Sequence, residues 1–523
     1  VFDPITGVLL DDPDVEAIRV LLQLTGMMKK VELECTEKRT KAAFQTYIEI
    51  ENEIRQKDWN LHDPLLVDFR VWTHILFGDL LHHWQKLVVN EDLIPKHGPG
   101  AVADKLRGNA KWNQAAWPDR LEHVFPFGRY AYSSYRHYLA DLDDGGRPSL
   151  PGTEMPVKVT AVPKTLETPR LIAIEPTWMQ YMQQALKSGF EDSVRIAKYG
   201  HFVNYESQVP NQDMARRGSI SGSLATLDLS EASDRVSNQL VRAMLHDFPS
   251  LLEAVDATRS RTADVLGHGV IRLAKFASMG SALCFPIESM VFLIITMMGS
   301  YNSYRSNLHD TPMSRRNFVK SHVDQVRTYG DDIIAPSKYA QAISDLLEVF
   351  GLKVNRAKSF WTGRFRESCG KEYFRGFDVT HVKVRSILPA RSQRASELAT
   401  TLVKTSALRN HLFEYGYWRT CQKLDSMISG FIPYPAVGSD SPAIGRLSSL
   451  GYQADRWDND LQLPMVRAAV VNVKSPGSYL DGYGALMKCL VKQSELPNPD
   501  SEHLLRAGRP SALQLKQRWV RSY

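Results

Sequence analysis

Three aspartates, Asp228, Asp331 and Asp332, are the residues whose placement could do chemistry. Asp228 lies in the run Leu224 to Leu229 (LATLDL), which reads as a half-buried strand. Asp331 and Asp332 follow Gly330 between two short apolar runs, Val326 to Tyr329 and Ile333 to Ala335, the pattern of a hairpin. Adjacent strands of one sheet would bring the three carboxylates together. Like charges at that range raise one another's proton affinity, so the arrangement is unfavourable unless cations neutralise it. Mg2+ is the natural partner, a hard cation that takes carboxylate and phosphate oxygens and keeps some water. Two such ions, about 3.5 to 4 Å apart, stabilise the attacking and leaving oxygens of an in-line phosphoryl transfer. A solvated turn would use Gly and Asp as well, since both favour turns. Two buried-looking strands, and a further acid, Asp234, at the start of a helix, are more than such a turn requires.

The elements that must position these acids follow from periodicity. Val236, Leu240 and Met244 recur at four-residue spacing and predict a helix directly after the first strand, with Ser233 as its cap. Pro286 suits the first turn of a helix made apolar on most sides by Met290, Val291, Phe292, Ile294 and Ile295. After the hairpin, Ile343, Leu346, Leu347 and Phe350 follow the helical rule and Gly351 stands where a helix ends. The order strand, helix, helix, hairpin, helix, strand predicts a small antiparallel sheet backed by helices, an α+β arrangement. Upstream, Val157 to Val162 (VKVTAV), a turn from Pro163 to Pro169, and Leu171 to Ile174 predict a hairpin bearing Lys158, Lys164 and Arg170. Two turn-rich stretches, Asp141 to Gly152 and Ile432 to Pro442, read as loops or lobe boundaries, the first closing a mainly helical N-terminal third.

With 523 residues the chain can bury a large core, which predicts about two to four lobes and argues against a single small binding module. Lys and Arg outnumber Asp and Glu by 64 to 58, a balance that suits a polyanionic partner without requiring one. The five cysteines are scattered with no C-x-x-C pair, so neither a zinc site nor a disulfide framework is indicated and a reducing, cytoplasmic setting is expected. The apolar run around Met290 to Met298 is shorter than the roughly 20 residues that cross a bilayer, so a core helix and no membrane association are expected. The start, Val1-Phe2-Asp3-Pro4, shows no basic segment followed by an apolar block, and no secretory signal is read there.

Seven segments, in order, resemble the replicases of leviviruses, the single-stranded RNA bacteriophages of the Qβ kind. They are Ala161-Val162-Pro163-Lys164, Ala173-Ile174-Glu175-Pro176, Leu224 to Asp234, Ser278-Met279-Gly280, Ile287-Glu288-Ser289, Tyr329 to Ile334 (YGDDII) and Phe365 to Gly370 (FRESCG). The resemblance is dense from about Met155 to Arg385 and thin outside it. It implies an RNA-directed RNA polymerase with the right-hand form of fingers, palm and thumb, the antiparallel sheet being the palm.

Residue by residue, the resemblance implies that Asp228, Asp331 and Asp332 hold two Mg2+ ions, with Mn2+ or Ca2+ able to substitute. Asp234 matches the acid that reads the ribose 2′-hydroxyl, a group that both donates and accepts. Lys164 and Arg170, with Lys158 as a further member, match the basic hairpin over the nucleoside triphosphate. Ser278 and Gly280 match a loop that contacts template and nucleotide. There the pattern departs from the Qβ type, because Ser281-Ala282-Leu283-Cys284 replaces a stretch bearing glycine and an aromatic. Lys358 is placed to protonate the leaving pyrophosphate. Between the buried helix and the acid hairpin, Arg315 and Arg316, with Lys320, form a basic cluster. The acid-free last twenty residues carry Arg506, Arg509, Lys516, Arg518, Trp519, Arg521 and Tyr523, a composition that suits a single RNA strand.

The implied lobes are an N-terminal helical region at 1–150, fingers at 151–222, a palm at 223–385 with an insertion at about 245–277, and a thumb with basic tail at 386–523. Initiation without a primer is implied, as are RNA template and product, nucleoside triphosphates, and host partners: elongation factors Tu and Ts and a ribosomal RNA-binding protein in the bacterial cytoplasm. A reverse transcriptase shares paired aspartates. Gly330 before the pair, and Asp234 where that class places a bulky residue against the 2′-hydroxyl, speak against it. A non-catalytic RNA-binding protein would gain from cations and lose by converging acids.

Overall fold

The structure is a computed structural model that describes every residue except 58, 61, 114–115, 144–153, 307–312, 475–478 and 495–511. Most of the loop expected at Asp141 to Gly152 therefore lies outside the described residues, as do Arg506 and Arg509. The described chain mixes helix and sheet, and its first third is helical, as expected. The helix Pro64–Val89 is started by Asp63, whose carboxylate accepts from the Leu65 N–H at 2.8 Å, and by Pro64 in the first turn. Phe69, Trp72, Leu76, Leu80 and Trp84 recur along it at three- and four-residue steps and are fully buried in the main core.

Three strands form the sheet that matters for the acids. Leu224–Leu227 pairs antiparallel with Asp332–Pro336, which pairs in turn with Arg327–Tyr329. The first strand stops at Leu227, one residue before Asp228. Leu229–Ser230 then makes its own short pairing with Lys353–Val354, so the run read as one strand is two strands broken at the acid. The helix expected to start at Ser233 is also divided. Ala232–Arg235 is a single turn entered through Glu231 in the left-handed region at φ +48°, and Asn238–Met244 is a separate helix. Its cap is Ser237, which accepts from the Leu240 N–H at 3.1 Å; Ser233 instead donates to Glu288. The basic hairpin forms as expected from Val157–Val162 and Arg170–Ile174, and two strands from the later segment, Thr262–Val265 and Gly269–Arg272, extend it into a four-stranded sheet.

The helix Cys284–Ser306 runs through the centre, with Pro286 in its first turn. It is long and apolar enough to cross a membrane by length and composition, but 94% of its most apolar window is buried inside the protein, packed against Pro64–Val89 and Ala340–Val349. A core helix was expected there. At the far end, Arg456–Asp458, Leu463–Lys474 and Ala512–Arg521 make a three-stranded sheet, so the described part of the basic tail is a strand paired from Met465↔Arg521 to Lys474↔Ala512.

One buried acid near the hairpin sheet gives a stability prediction. Glu175 is 5% exposed, accepts from Ser260 Oγ at 2.5 Å, and is pushed up to about 7 by burial, which that hydrogen bond only partly offsets. Its folded value lies above the unfolded one, so the protein loses stability as pH rises from the ordinary glutamate range through about 7. Glu175→Gln removes that loss. The stability of the variant relative to the parent should therefore rise between pH 5 and pH 8.5, by up to about 3 kcal/mol. Equal differences in melting temperature at the two pH values would contradict this.

Candidate active site

The register of the sheet brings the acids to one end of it. Leu227 lies opposite Ile333 and Tyr329 opposite Asp332, so Asp228 and Asp332 continue neighbouring strands while Gly330 and Asp331 make the turn. Gly330 is in the left-handed region at φ +61°, and a Cβ there would come within 2.4 Å of the Phe285 ring, so only glycine lets the turn close on that ring. Ser289 Oγ accepts from the Gly330 N–H at 3.1 Å, and Thr328 Oγ1 donates to the Ser289 carbonyl at 3.1 Å. The central helix thus fixes the height of the turn.

Each carboxylate has its own neighbours. Asp228 Oδ2 accepts from Asn355 Nδ2 at 2.9 Å and lies 3.8 Å from Lys358 Nζ, while its backbone N–H donates to Ser359 Oγ at 3.1 Å. Asp332 Oδ2 accepts from the Cys369 N–H at 3.2 Å. Burial pushes Asp228 up to about 6, with Asp331 adding to the shift and Lys358 opposing it. Burial, then the charges of Asp331 and Asp228, push Asp332 up to about 7. Asp331 reaches solvent at the turn, yet enough protein surrounds it to raise its carboxyl against the pull of Lys164, Lys358 and Arg170.

Those three cations are residues singled out in the sequence, and the fold does bring them to face the acids. Lys164 reaches solvent just beyond Val157–Val162, yet the protein packed around it, with the charge of Arg170, lowers its ammonium while Asp331 and Asp228 act against them. Lys158 lies on the exposed side of the same strand, in register with Asp264. Ser278 is buried and its hydroxyl is 3.0 Å from Tyr47 Oη. Gly280, at φ +130°, follows Met279, whose carbonyl accepts from the Ala173 N–H at 2.8 Å, so this loop is clipped to the basic hairpin.

Other sequence candidates stand elsewhere. Arg315 ion-pairs with Asp68 and lies 5.7 Å from the centre of the Tyr301 ring, tying two helices together; Arg316 and Lys320 are exposed beside it. On the C-terminal sheet, Trp519 lies in register with Arg467 and under the guanidinium of Arg456 at 4.4 Å, with Arg521 two residues on, whereas Arg518 belongs to the opposite face.

Several contributors escaped sequence reasoning. Ser289, Glu288 and Cys369 lay inside quoted segments with no role attached, and only the tertiary contacts above reveal one. Asn355 had no local signal. Nor did Arg366, which is fully buried and donates through Nε to the Leu224 carbonyl at 2.5 Å and through Nη1 to that of Phe365 at 2.6 Å, bracing the strand that leads to Asp228.

Among the described residues, no three acid, histidine or cysteine side chains already stand as a closed metal cage. The donor chemistry at the turn fits a hard cation nonetheless: the donors are all carboxylate oxygen, and mutual repulsion contributes to the raised proton affinity of Asp228 and Asp332.

Residues 135–393 match the family model described as RNA replicase, beta-chain. The chain is similar to the RNA-directed RNA polymerase subunit beta of Enterobacteria phage SP, 31% identical over 292 residues, which is 55% of this chain and 45% of that protein. It is 36% identical over 231 residues to the subunit of the same name from Qbeta virus strain MX1, covering 44% of this chain and 35% of that one. The match thus spans less than half the length of these curated relatives. A solved structure of the RNA-dependent RNA polymerase from bacteriophage phi12 aligns with a TM-score of 0.40 at 11% identity, over 79% of this chain and 72% of that one. All of the acids and cations gathered at the turn fall inside the segment, residues 135–393, that matches the RNA replicase beta-chain family model.

Proposed function

We propose that the chain carries the nucleotidyl-transfer centre of a phage RNA-directed RNA polymerase, extending an RNA 3′ end on an RNA template. The observation that carries this is the convergence of Asp228, Asp331 and Asp332 at one end of a sheet, faced by Lys164, Arg170 and Lys358. Acids alone would repel a triphosphate and cations alone would only bind one. The two sets together suit a reaction in which phosphate charge is both held and redistributed.

In this reading Asp228, Asp331 and Asp332 hold two Mg2+ ions, or Mn2+ or Ca2+ in their place. When bound, they neutralise the carboxylates and supply Lewis-acid stabilisation of the attacking and leaving oxygens. Lys164 and Arg170, with Lys158 further out, take the triphosphate, the guanidinium as a planar fork and the ammonium as a point charge. Lys358, 3.8 Å from Asp228, gives its proton to the departing pyrophosphate in this reading. Asp234 reads the 2′-hydroxyl, and Ser278 and Gly280 shape the loop beside it. The right-hand division follows, with fingers at 151–222, a palm at 223–385 and a thumb at 386–523, as does primer-independent initiation. Trp519, Arg521 and the Arg315–Arg316 cluster are proposed to touch RNA at the periphery, with Arg518 serving from the other face. The relatives are named as subunits. Assembly with elongation factors Tu and Ts and a ribosomal RNA-binding protein, in the bacterial cytoplasm, belongs to the same proposal.

The test is a primer-free assay of the purified chain, alone and with a bacterial extract, on an RNA template with Mg2+ and either ribonucleotides or deoxyribonucleotides. Template-length RNA made from ribonucleotides is the expected result. Products from deoxyribonucleotides alone would favour reverse transcription, and no product under any condition would sink the assignment.

A further inference from the structure

A helix from the N-terminal region, Glu37–Gln56, reaches under the turn that carries Asp234. Lys275 joins the two. Its side chain is fully buried, and Nζ lies 3.0 Å from Asp234 Oδ1 and 3.3 Å from Glu51 Oε1, with the Tyr47 ring centre 3.3 Å away. Backbone pairing puts it there: the Phe276 N–H donates to the Val236 carbonyl at 2.7 Å and the Asn238 N–H to that of Ala274 at 3.0 Å, so 274–276 runs alongside the residues that follow Asp234. Glu51 is held in turn, because its Oε2 accepts from the Ala274 N–H at 2.6 Å. A second tie joins the same elements, Arg235 Nη1 to Glu53 Oε2 at 2.6 Å.

Burying an ammonium is expensive unless partners replace its water. Here two carboxylates and an aromatic face do so. Burial alone would lower the Lys275 ammonium, but Asp234, Tyr47 and Glu51 raise it above its ordinary value, so it stays charged. The Asp234 side chain is 20% exposed. Its Oδ1 accepts from Lys275 Nζ at 3.0 Å, and no hydrogen bond to Oδ2 is made among the described residues. A carboxylate held at one oxygen and open at the other is an acceptor of fixed direction. The same helix also touches the other element of the nucleotide loop, through Tyr47 Oη and Ser278 Oγ at 3.0 Å.

We propose that Glu51, Lys275 and Tyr47 form a positioning unit that clamps Asp234 by one oxygen and presents the other to the ribose 2′-hydroxyl, which makes the N-terminal helix a determinant of sugar selectivity. The inference rests on the reading of Asp234 as the sugar-sensing acid. A ribonucleotide supplies a hydroxyl to the aimed oxygen; a deoxyribonucleotide leaves it unpaired. Selectivity of this kind depends on direction, so a loosened carboxylate loses it even though its charge remains.

The experiment compares kcat and KM for a ribonucleotide and its deoxy counterpart in Lys275→Met, Lys275→Arg, Glu51→Gln, Tyr47→Phe and Asp234→Ala, together with melting temperatures. Lys275→Met should lower the ribo-over-deoxy ratio by about 10- to 100-fold, chiefly through a higher KM for the ribonucleotide. Lys275→Arg should restore most of it, and Glu51→Gln and Tyr47→Phe should fall between. A merely structural bridge would lower the melting temperature and leave the ratio alone. If Asp234→Ala collapses the ratio while the folded Glu51→Gln and Tyr47→Phe proteins keep it within about twofold of the parent, the positioning unit is overturned and the role of Asp234 stands. If Asp234→Ala leaves the ratio intact, the reading of Asp234 itself is overturned. Should Lys275→Met fail to fold, the Lys275→Arg, Glu51→Gln and Tyr47→Phe ratios decide.

Discussion

Asp331→Asn should lower nucleotide incorporation by at least about 10³-fold, since in the proposed centre it removes an interaction made where charge develops in the transition state. It should not lower stability. Asp331 helps hold the carboxyls of Asp228 and Asp332 above their ordinary range, so deleting its charge relieves both. The sign can be followed in pH. Burial first, and then its acidic neighbours, put the folded value of Asp332 at about 7, above the unfolded one, so the parent protein loses stability as pH rises from the ordinary aspartate range through about 7. With position 331 neutral, that loss shrinks. The melting-temperature advantage of the variant should therefore be larger at pH 8 than at pH 5. Added Mg2+ should raise the melting temperature of the parent, more at pH 8 than at pH 5, and raise that of the variant less. An Asp331→Asn variant that polymerises normally, or one stabilised by Mg2+ as fully as the parent, would be incompatible with the three-acid centre.

The second large effect is expected at Gly280. A Cβ there would lie 2.0 Å from the Ala173 carbonyl oxygen and 3.3 Å from Ile172 Cγ2, and the backbone stands at φ +130°, where side-chain-bearing residues are strained. The obstacle is backbone, so no rotamer change relieves it. In Gly280→Ala the loop must lift off the hairpin strand and break the bond from the Ala173 N–H to the Met279 carbonyl. Strain and the lost docking together should cost at least about 3 kcal/mol. If the loop contacts the nucleotide as proposed, a displacement near 1 Å should also lower activity by about 100-fold. Gly267→Ala is the control. Its φ is +82°, also left-handed, but nothing lies within 4 Å of the added atom, so only the conformational cost of about 1 kcal/mol applies. If the two variants melt at the same temperature, close approach is not what Gly280 provides.

The acid hairpin was legible because its information is local. A glycine and two aspartates between two short apolar runs specify a turn, and the apolar flanks put both strands inside. The basic hairpin and the helix Ala340–Val349 were readable for the same reason. The split at Asp228 and the short turn at Ala232–Arg235 were not, since both follow from tertiary contacts that the sequence expresses nowhere nearby: the pairing of Leu229–Ser230 with Lys353–Val354, and the bridging of 236–238 to 274–276. Lys275 was hidden by its type. Lysine is ordinarily a surface residue, and nothing beside it announces that Glu51, more than two hundred positions earlier, will neutralise it. Thr262–Val265 and Gly269–Arg272 were likewise invisible as partners of the hairpin, because a sheet neighbour a hundred residues away leaves no periodic trace.

The central helix has a consequence for biosynthesis. Cys284–Ser306 is covered partly by elements made before it, such as Pro64–Val89, and partly by Ala340–Val349, which leaves the ribosome later. Until about residue 350 has emerged, a ribbon of Met, Ile, Phe and Val stands uncovered, and its closure waits on contacts distant in the chain. Nascent or truncated chains that end between residues 306 and 340 are therefore the aggregation-prone forms, and a soluble fragment must either stop before this helix or continue past Val349.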